Sequence, residues 1–527
     1  MEARVFRSDR RVHLSYEVRH RIHAAQVYPV TAPNGSTVII YGHDGGLRLL
    51  WRGGKQPSED GGDGTEEIDV DCPYPSIWRE VNVDLEAEVQ HLAIPSLSSS
   101  LPPRTAQTLQ QYGVVAVACS DGSQRVLTFS LSPPSAYEAD TYAKNIRGTQ
   151  VKFPGETPCL GISAKIIVSA EHASSGSRTK PTSDFLFAAA TPATLHVRRI
   201  SVFDELTATS QEPESWEVQL PCRPLRVVFH PSAMSTILLV ADVSGAVRLY
   251  DARPSDADFM SPGRWLFTYQ TPFHTDSRGR VRRKPILDAK WALSGTTVLV
   301  LLSDGECGVW AWTASIPRGS SIDEFVQRGS LRQSHDTSVE LGAPKGRGSK
   351  LAPMTPNTRK VKSEVLFYGS PQETKSCPRG GIMVGASKMR NEHFDETALI
   401  WYNGQVYLIT SMQSWWQRAT VYGSLHAPGL THLPDVRLGH ELLTSVSLFS
   451  PDQSGSVVIN TRPDLLVCAE HRFIIVQTVR AAPQPADPVT PPETEEMRLG
   501  TAQLDLGGVD RALDRLIDDR PRRVGFV

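Results

Sequence analysis

The stretch Thr236 to Arg253, TILLVADVSGAVRLYDAR, limits the folds open to this chain more than any other. Ile237, Leu239 and Ala241 alternate with Leu238 and Val240, so the run is apolar on both faces. A strand buried on both faces belongs to a sheet packed between two others. Ser244-Gly245 supplies a tight turn and Ala246 to Tyr250 runs back, the pattern of a hairpin. The return strand closes on Tyr250-Asp251, a degenerate form of the aromatic-Asp pair of a WD repeat. Ahead of it, LRVVFHPS (Leu225 to Ser232) reads as a strand ending at His230-Pro231. One such unit cannot bury both its faces, so a propeller blade of this kind demands companions.

Six further hairpin units answer that demand. They are Thr37 to Gly54, Val114 to Leu131, Phe185 to Phe203, Thr297 to Thr313, Ala398 to Ser411 and Asp464 to Val479. Their turns are His43-Asp44-Gly45-Gly46, Asp121-Gly122, Thr191-Pro192-Ala193, Asp304-Gly305, Asn403-Gly404 and Glu470-His471. Asn-Gly is among the strongest short hairpin signals. Candidate leading strands precede several units, at Ala24 to Pro29, Val89 to Pro95, Ile286 to Ala292 and Ser445 to Pro451. Phe229-His230-Pro231, Phe449-Ser450-Pro451 and Val27-Tyr28-Pro29 end alike. The expected fold is therefore all-β, a seven-bladed WD40-like β-propeller followed by a linker and a short C-terminal α-helix.

The boundaries follow. Residues 1–11 read as an N-terminal tail and 12–480 as the propeller, with disordered insertions at about 55–76, 171–183 and 320–364. Val12 to Val18 (VHLSYEV) is placed to pair into the seventh unit and close the ring, which removes free sheet edges. Residues 481–500 form a Pro-rich acidic linker, extended by composition. In the tail 501–527, Val509, Leu513, Leu516 and Ile517 fall at i, i+4, i+7 and i+8, one apolar face of a short helix. Alone such a helix is marginal, so it docks on the propeller or on a partner.

Composition removes several function classes. The chain has 55 Lys and Arg against 57 Asp and Glu, so no global basic footprint for nucleic acid exists. Cys72, Cys119, Cys159, Cys222, Cys307, Cys377 and Cys468 are scattered without a CxxC, as expected of reduced thiols inside a cell. The polar start MEARVFRSDRR predicts no secretory signal, and no apolar run is long enough to span a bilayer.

No catalytic or cofactor motif is present: HExxH, GxSxG and GxGxxG opening a helix are all absent. Gly342 to Lys350 has the residue types of a phosphate loop but not their order, and the acidic run Glu59 to Asp71 lacks the calcium-loop pattern. Catalytic, cofactor and metal residues are thus expected to be none. Arg278, Arg280, Arg282, Arg283 and Lys284 form the densest basic cluster, a solvated propeller loop, a nuclear localisation signal or an anion-binding patch. Thr355-Pro356 beside Arg359, Lys360 and Lys362 is a flexible loop or a proline-directed phosphorylation site. Trp415-Trp416, read as part of a strand, point to opposite faces; either one is an exposed interface residue or both rings pack between blades.

One stretch carries more than propeller logic. His20-Arg21, Gln26 to Pro29, Ala32 to Ser36, Tyr41-Gly42-His43 and Trp51-Arg52-Gly53-Gly54 resemble the first blade of a nucleoporin family. That family is the fungal form of the small WD-repeat nucleoporins, the thirty-seven-kilodalton class of the Y-shaped outer-ring complex. The resemblance implies a scaffold of the nuclear pore outer ring, at the nuclear envelope, that supports nucleocytoplasmic transport and mRNA export by protein docking. It implies two partners, the large propeller-solenoid nucleoporin of the Y-complex arm and an ELYS-type nucleoporin. It transfers no catalytic or metal residue. Two other readings of a seven-bladed platform stand beside it. One is a WD adaptor of a chromatin or ubiquitin-ligase complex. The other is a propeller enzyme, which needs convergent carboxylates at the channel; Asp44, Asp121 and Asp304 instead recur as turn residues.

Overall fold

The computed structural model describes residues 1–8, 11–56, 74–97, 101–169, 182–200, 214–253, 263–275, 279–312, 321–331, 377–388, 394–423, 429–433, 436, 438, 441–450 and 463–478. Residues 1–479 form one compact unit. Seven antiparallel sheets make the seven blades of a propeller. Their inner strands are Ala24–Val27, Val89–Ala93, Gly161–Ser169, Pro224–Phe229, Ile286–Ala292, Gly380–Lys388 and Leu443–Leu448, for blades 1 to 7.

The Thr236–Arg253 hairpin occupies the middle of blade 4 as Ile237–Asp242 and Ala246–Asp251, with Leu239 opposite Leu249. Its two apolar faces enter two different cores. Leu238, Val240 and Tyr250 pack with Val197 and Phe229 towards blade 3, while Leu239, Ala241 and Leu249 pack with Val298 and Trp310 of blade 5. Each fully buried Leu or Val adds about 1.5–3 kcal/mol. This is why strands in a ring of blades read apolar on both faces. Gly245 sits at φ +81°, and a Cβ there would stand 2.5 Å from Thr271 Oγ1 and 2.9 Å from the Lys284 carbonyl.

The ring closes as expected. Residues Arg11–Glu17 pair antiparallel with Arg472–Thr478, from Arg11 opposite Thr478 to Glu17 opposite Arg472. Tyr16 stacks on Phe473 with centroids 4.9 Å apart. The N-terminal tail reading is corrected: Arg4–Ser8 adds a fifth strand outside Arg11–Glu17, because the outer edge of Arg11–Glu17 is otherwise open to pairing. The insertion boundaries also change. Ser321–Ile322 pairs parallel with blade 4, and Gln327–Ser330 is the outer strand of blade 5. Thr182 and Ser183 begin a strand of blade 3, and Tyr74 packs against the core shared by blades 7 and 1.

Among the described residues, three α-helices were not expected. Helices α1 (Pro103–Gln111), α2 (Ala139–Gly148) and α3 (Met412–Tyr422) lie between strands of blades 2 and 6. Helix α2 covers Trp51, whose ring meets Tyr142 edge-on at 5.8 Å. Among the described cysteines none forms a disulfide.

Candidate docking surface at the channel mouth

The inner strands leave one edge of backbone N–H groups facing the channel, and buried donors must find acceptors. A side chain from the preceding blade supplies several. Ser447 Oγ of blade 7 accepts from Val27 N at 3.1 Å, and Gln26 Oε1 of blade 1 accepts from Ile94 N at 3.1 Å. Ser163 Oγ accepts from Phe229 N at 3.0 Å, and Asp288 Oδ2 accepts from Ile382 N at 2.8 Å. Polar side chains therefore tie neighbouring blades together at these four seams.

Residues at or just before the start of five inner strands line one open cavity of about 350 Å³ at the channel mouth. Arg21, Arg226 and Arg379 stand among Ile22, Leu287, Trp401 and Leu443. Arg21 donates to Glu470 at 2.7 Å, and Arg226 Nε lies 3.1 Å from Asp288. Arg379 has no acidic partner among the described residues. Sequence reading missed these arginines, because their shared position at strand starts is visible only once the blades are aligned.

The basic cluster expected in a loop is corrected to a small hairpin, Phe273–Thr275 paired with Val281–Arg283. Arg283 lies over the Phe273 ring at 4.2 Å and donates to the Thr271 carbonyl at 2.7 Å. Lys284 joins Asp304 at 2.8 Å and also bonds Glu306. Burial opposes the Lys284 charge, but these two carboxylates outweigh it and raise the amine's pKa. Arg280 and Arg282 remain exposed, beside the exposed side chains of Phe273 and Val281; Arg278 lies outside the described residues.

The Trp415-Trp416 strand is corrected to helix α3. Ser411 caps it by accepting from Ser414 N at 3.2 Å, and Gly423 ends it at φ +64°. Met412, Trp415 and Ala419 fill one face, and Trp415, 2% exposed, packs in the core shared by blades 5 and 6. It therefore presents no surface to a partner, while Trp416 is half-buried. Val421 and Tyr422, 83% and 66% exposed, end the helix. Val509, Leu513, Leu516 and Ile517 lie outside the described residues, as do residues 342–350, 355–362 and the acidic run 59–71.

Three of the turn carboxylates serve their turns. Asp121 accepts from Ser123 N at 2.9 Å, Asp242 from Ser244 N at 2.8 Å and Asp304 from Glu306 N at 3.0 Å. Burial pushes the Asp304 carboxyl up, but Lys284 and the backbone donors win and hold it low. Strongly shifted groups are also structural. Burial lowers the Lys165 amine to about 7 while it donates to the His230 carbonyl at 2.7 Å. Burial, then the charge of Lys165, lowers the His230 imidazole to about 4 between the rings of Trp291 and Trp312.

A family model described as the nucleoporin NUP37 N-terminal domain matches residues 15–64 and 59–476. The chain belongs to this nucleoporin family. It is 27% identical over 503 residues to nucleoporin NUP37 of Chaetomium thermophilum, an alignment covering 76% of this chain and 65% of that protein. The chain thus spans less than two thirds of this relative's length. Among solved structures, the Cps50 (Swd1) β-propeller domain of Myceliophteria thermophila is 11% identical, covering 87% of this chain and 98% of that one at TM-score 0.39. The sheets themselves define the propeller here.

Proposed function

We propose that this nucleoporin is a noncatalytic scaffold subunit of the nuclear pore outer ring, the Y-shaped complex. The observation that carries this reading is the family match, which runs to residue 476 and so spans the blades as well as the first repeat. The construction of the ring supports it. Asp288 and the hydroxyl of Ser163 are spent holding neighbouring blades, and Asp121, Asp242 and Asp304 hold turns, which is construction rather than chemistry. A closed ring with a cavity and an exposed basic hairpin suits protein docking.

The partners on this reading are the large propeller-solenoid nucleoporin of the Y-complex arm and an ELYS-type nucleoporin. The tail face of Val509, Leu513, Leu516 and Ile517 is one docking element. Support of nucleocytoplasmic transport and mRNA export then follows from building the pore. A fluorescent fusion expressed at native level tests the reading. It should mark the nuclear rim in interphase, and a diffuse or chromatin-bound signal without a rim would overturn it.

A further inference from the structure

His23, Asp44 and Glu88 converge at the seam between blades 1 and 2. His23 Nε2 lies 2.9 Å from Asp44 Oδ1 and 3.2 Å from Glu88 Oε1, and one ligand atom from each lies within 4.8 Å of the others. The three come from separate segments. His23 precedes the inner strand of blade 1, Asp44 lies in the turn after Thr37–His43, and Glu88 precedes the inner strand of blade 2. Their backbones are braced: His23 N donates to Gly42 O at 3.0 Å, and Glu88 O accepts from Ser120 N at 2.8 Å.

The turn itself supplies an independent observation. In blades 2, 4 and 5 an aspartate accepts the backbone N–H two residues on. In blade 1 that role passes to His43, whose Nδ1 accepts from Gly45 N at 3.1 Å. The Asp44 carboxylate is thereby released from the turn and meets His23 and the Arg21 backbone N–H. A single imidazole N–H then stands between two carboxylates, where it can satisfy neither fully.

We propose that His23, Asp44 and Glu88 bind a divalent transition-metal ion, Zn²⁺ by preference, which clamps blade 1 to blade 2 beside the channel mouth. One imidazole nitrogen and two carboxylate oxygens are donors that Zn²⁺ accepts, leaving a fourth position for water. With bonds of about 2.0–2.1 Å, tetrahedral donors lie roughly 3.4 Å apart, so the two distances from His23 open by only a few tenths of an ångström. Binding at Nε2 takes the neutral imidazole with its proton on Nδ1, and two carboxylates balance the charge of the ion. His23 borders the open cavity, which gives a hydrated ion its approach.

The test uses the full chain, stripped of metal and titrated with ZnCl₂ by calorimetry, with Co²⁺ absorption as a reporter of coordination. One site is expected. His23→Asn and Glu88→Gln should each weaken it at least ~10-fold, the cost of disturbing even the neighbours of metal ligands. His274→Gln, on the basic hairpin, should leave it unchanged. Zn²⁺ should raise the melting temperature of the wild type and not of Glu88→Gln. Asp44→Asn changes an exposed turn residue and keeps the test sound where another variant fails to fold. Absence of binding by the wild type, or equal binding by wild type and all three triad variants, overturns the proposal.

Discussion

Blade 4 and blade 7 fill equivalent places in the ring and are assembled in opposite ways. The four antiparallel strands of blade 4 come from one run of chain, Pro224 to Gln270, joined in sequence order. Blade 7 takes its three inner strands from residues 443–478 and two more from Arg4–Glu17. The Glu17–Arg472 contact bridges 455 residues. Closing so long a loop costs roughly 3 kcal/mol more than closing one of ten residues. Burial of Leu14 and Tyr16, 0% and 1% exposed, offsets that at about 1.5–3 kcal/mol each. Blade 4 is thus stabilised by its own hairpins and its neighbours, whereas blade 7 exists only when both ends of the propeller meet.

The largest test of that difference is to delete residues 1–17. The Arg472–Thr478 strand then loses its partner along its whole length, and the core loses Leu14 and Tyr16. A fall in urea midpoint with rapid proteolysis of residues 443–478 is expected. An unchanged midpoint would show that the seventh blade stands without its borrowed strands.

A second effect belongs to blade 4. Its inner strand runs into His230, where blade 7 has Ser450 in a similar Phe-X-Pro end. His230 titrates at about 4 when folded, against about 6.5 in an unfolded chain. Between those values the unfolded chain binds a proton that the folded one refuses. The stability from this group is therefore present above pH 6.5 and lost as pH falls to 4, about 3 kcal/mol in all. In His230→Ser the dependence of unfolding free energy on pH across that window should flatten. His91, lowered to about 4 by burial and then by Arg226, adds the same sign in both proteins and cancels from their difference. Parallel curves for the two proteins would remove His230 from the account.

The smallest effect compares two turns. Gly245→Ala meets Thr271 and the Lys284 carbonyl at φ +81°, while Gly404→Ala meets nothing within 4 Å at φ +82°. Both carry the left-handed backbone cost of about 1–2 kcal/mol, and only Gly245 adds a clash. Melting curves should place Gly245→Ala below Gly404→Ala; equal values would mean that the hairpin base is not packed on the blade 4 turn.

The same contrast explains what could be read from residues alone. Two-faced apolar runs and Gly turns are local signals, so seven hairpins and the closing strand at Arg11–Glu17 were legible. The fifth strand Arg4–Ser8 was not, since five polar-apolar residues are ordered only by the edge they join. Helix α3 carried its own signals, a Ser411 cap, Gly423 and Met412, Trp415 and Ala419 at helical spacing, but a strand reading of the Trp pair hid them. Channel-mouth arginines and the His23 triad escaped because they lie far apart in sequence and meet only through blade alignment.

The central claim is that this closed ring is a scaffold of the nuclear pore. Affinity purification of the tagged protein at native expression, with its complex identified by mass spectrometry, tests it most directly. Recovery of the outer-ring nucleoporins in stoichiometric amounts is the result expected. Recovery of chromatin or ubiquitin-ligase subunits without nucleoporins would contradict it.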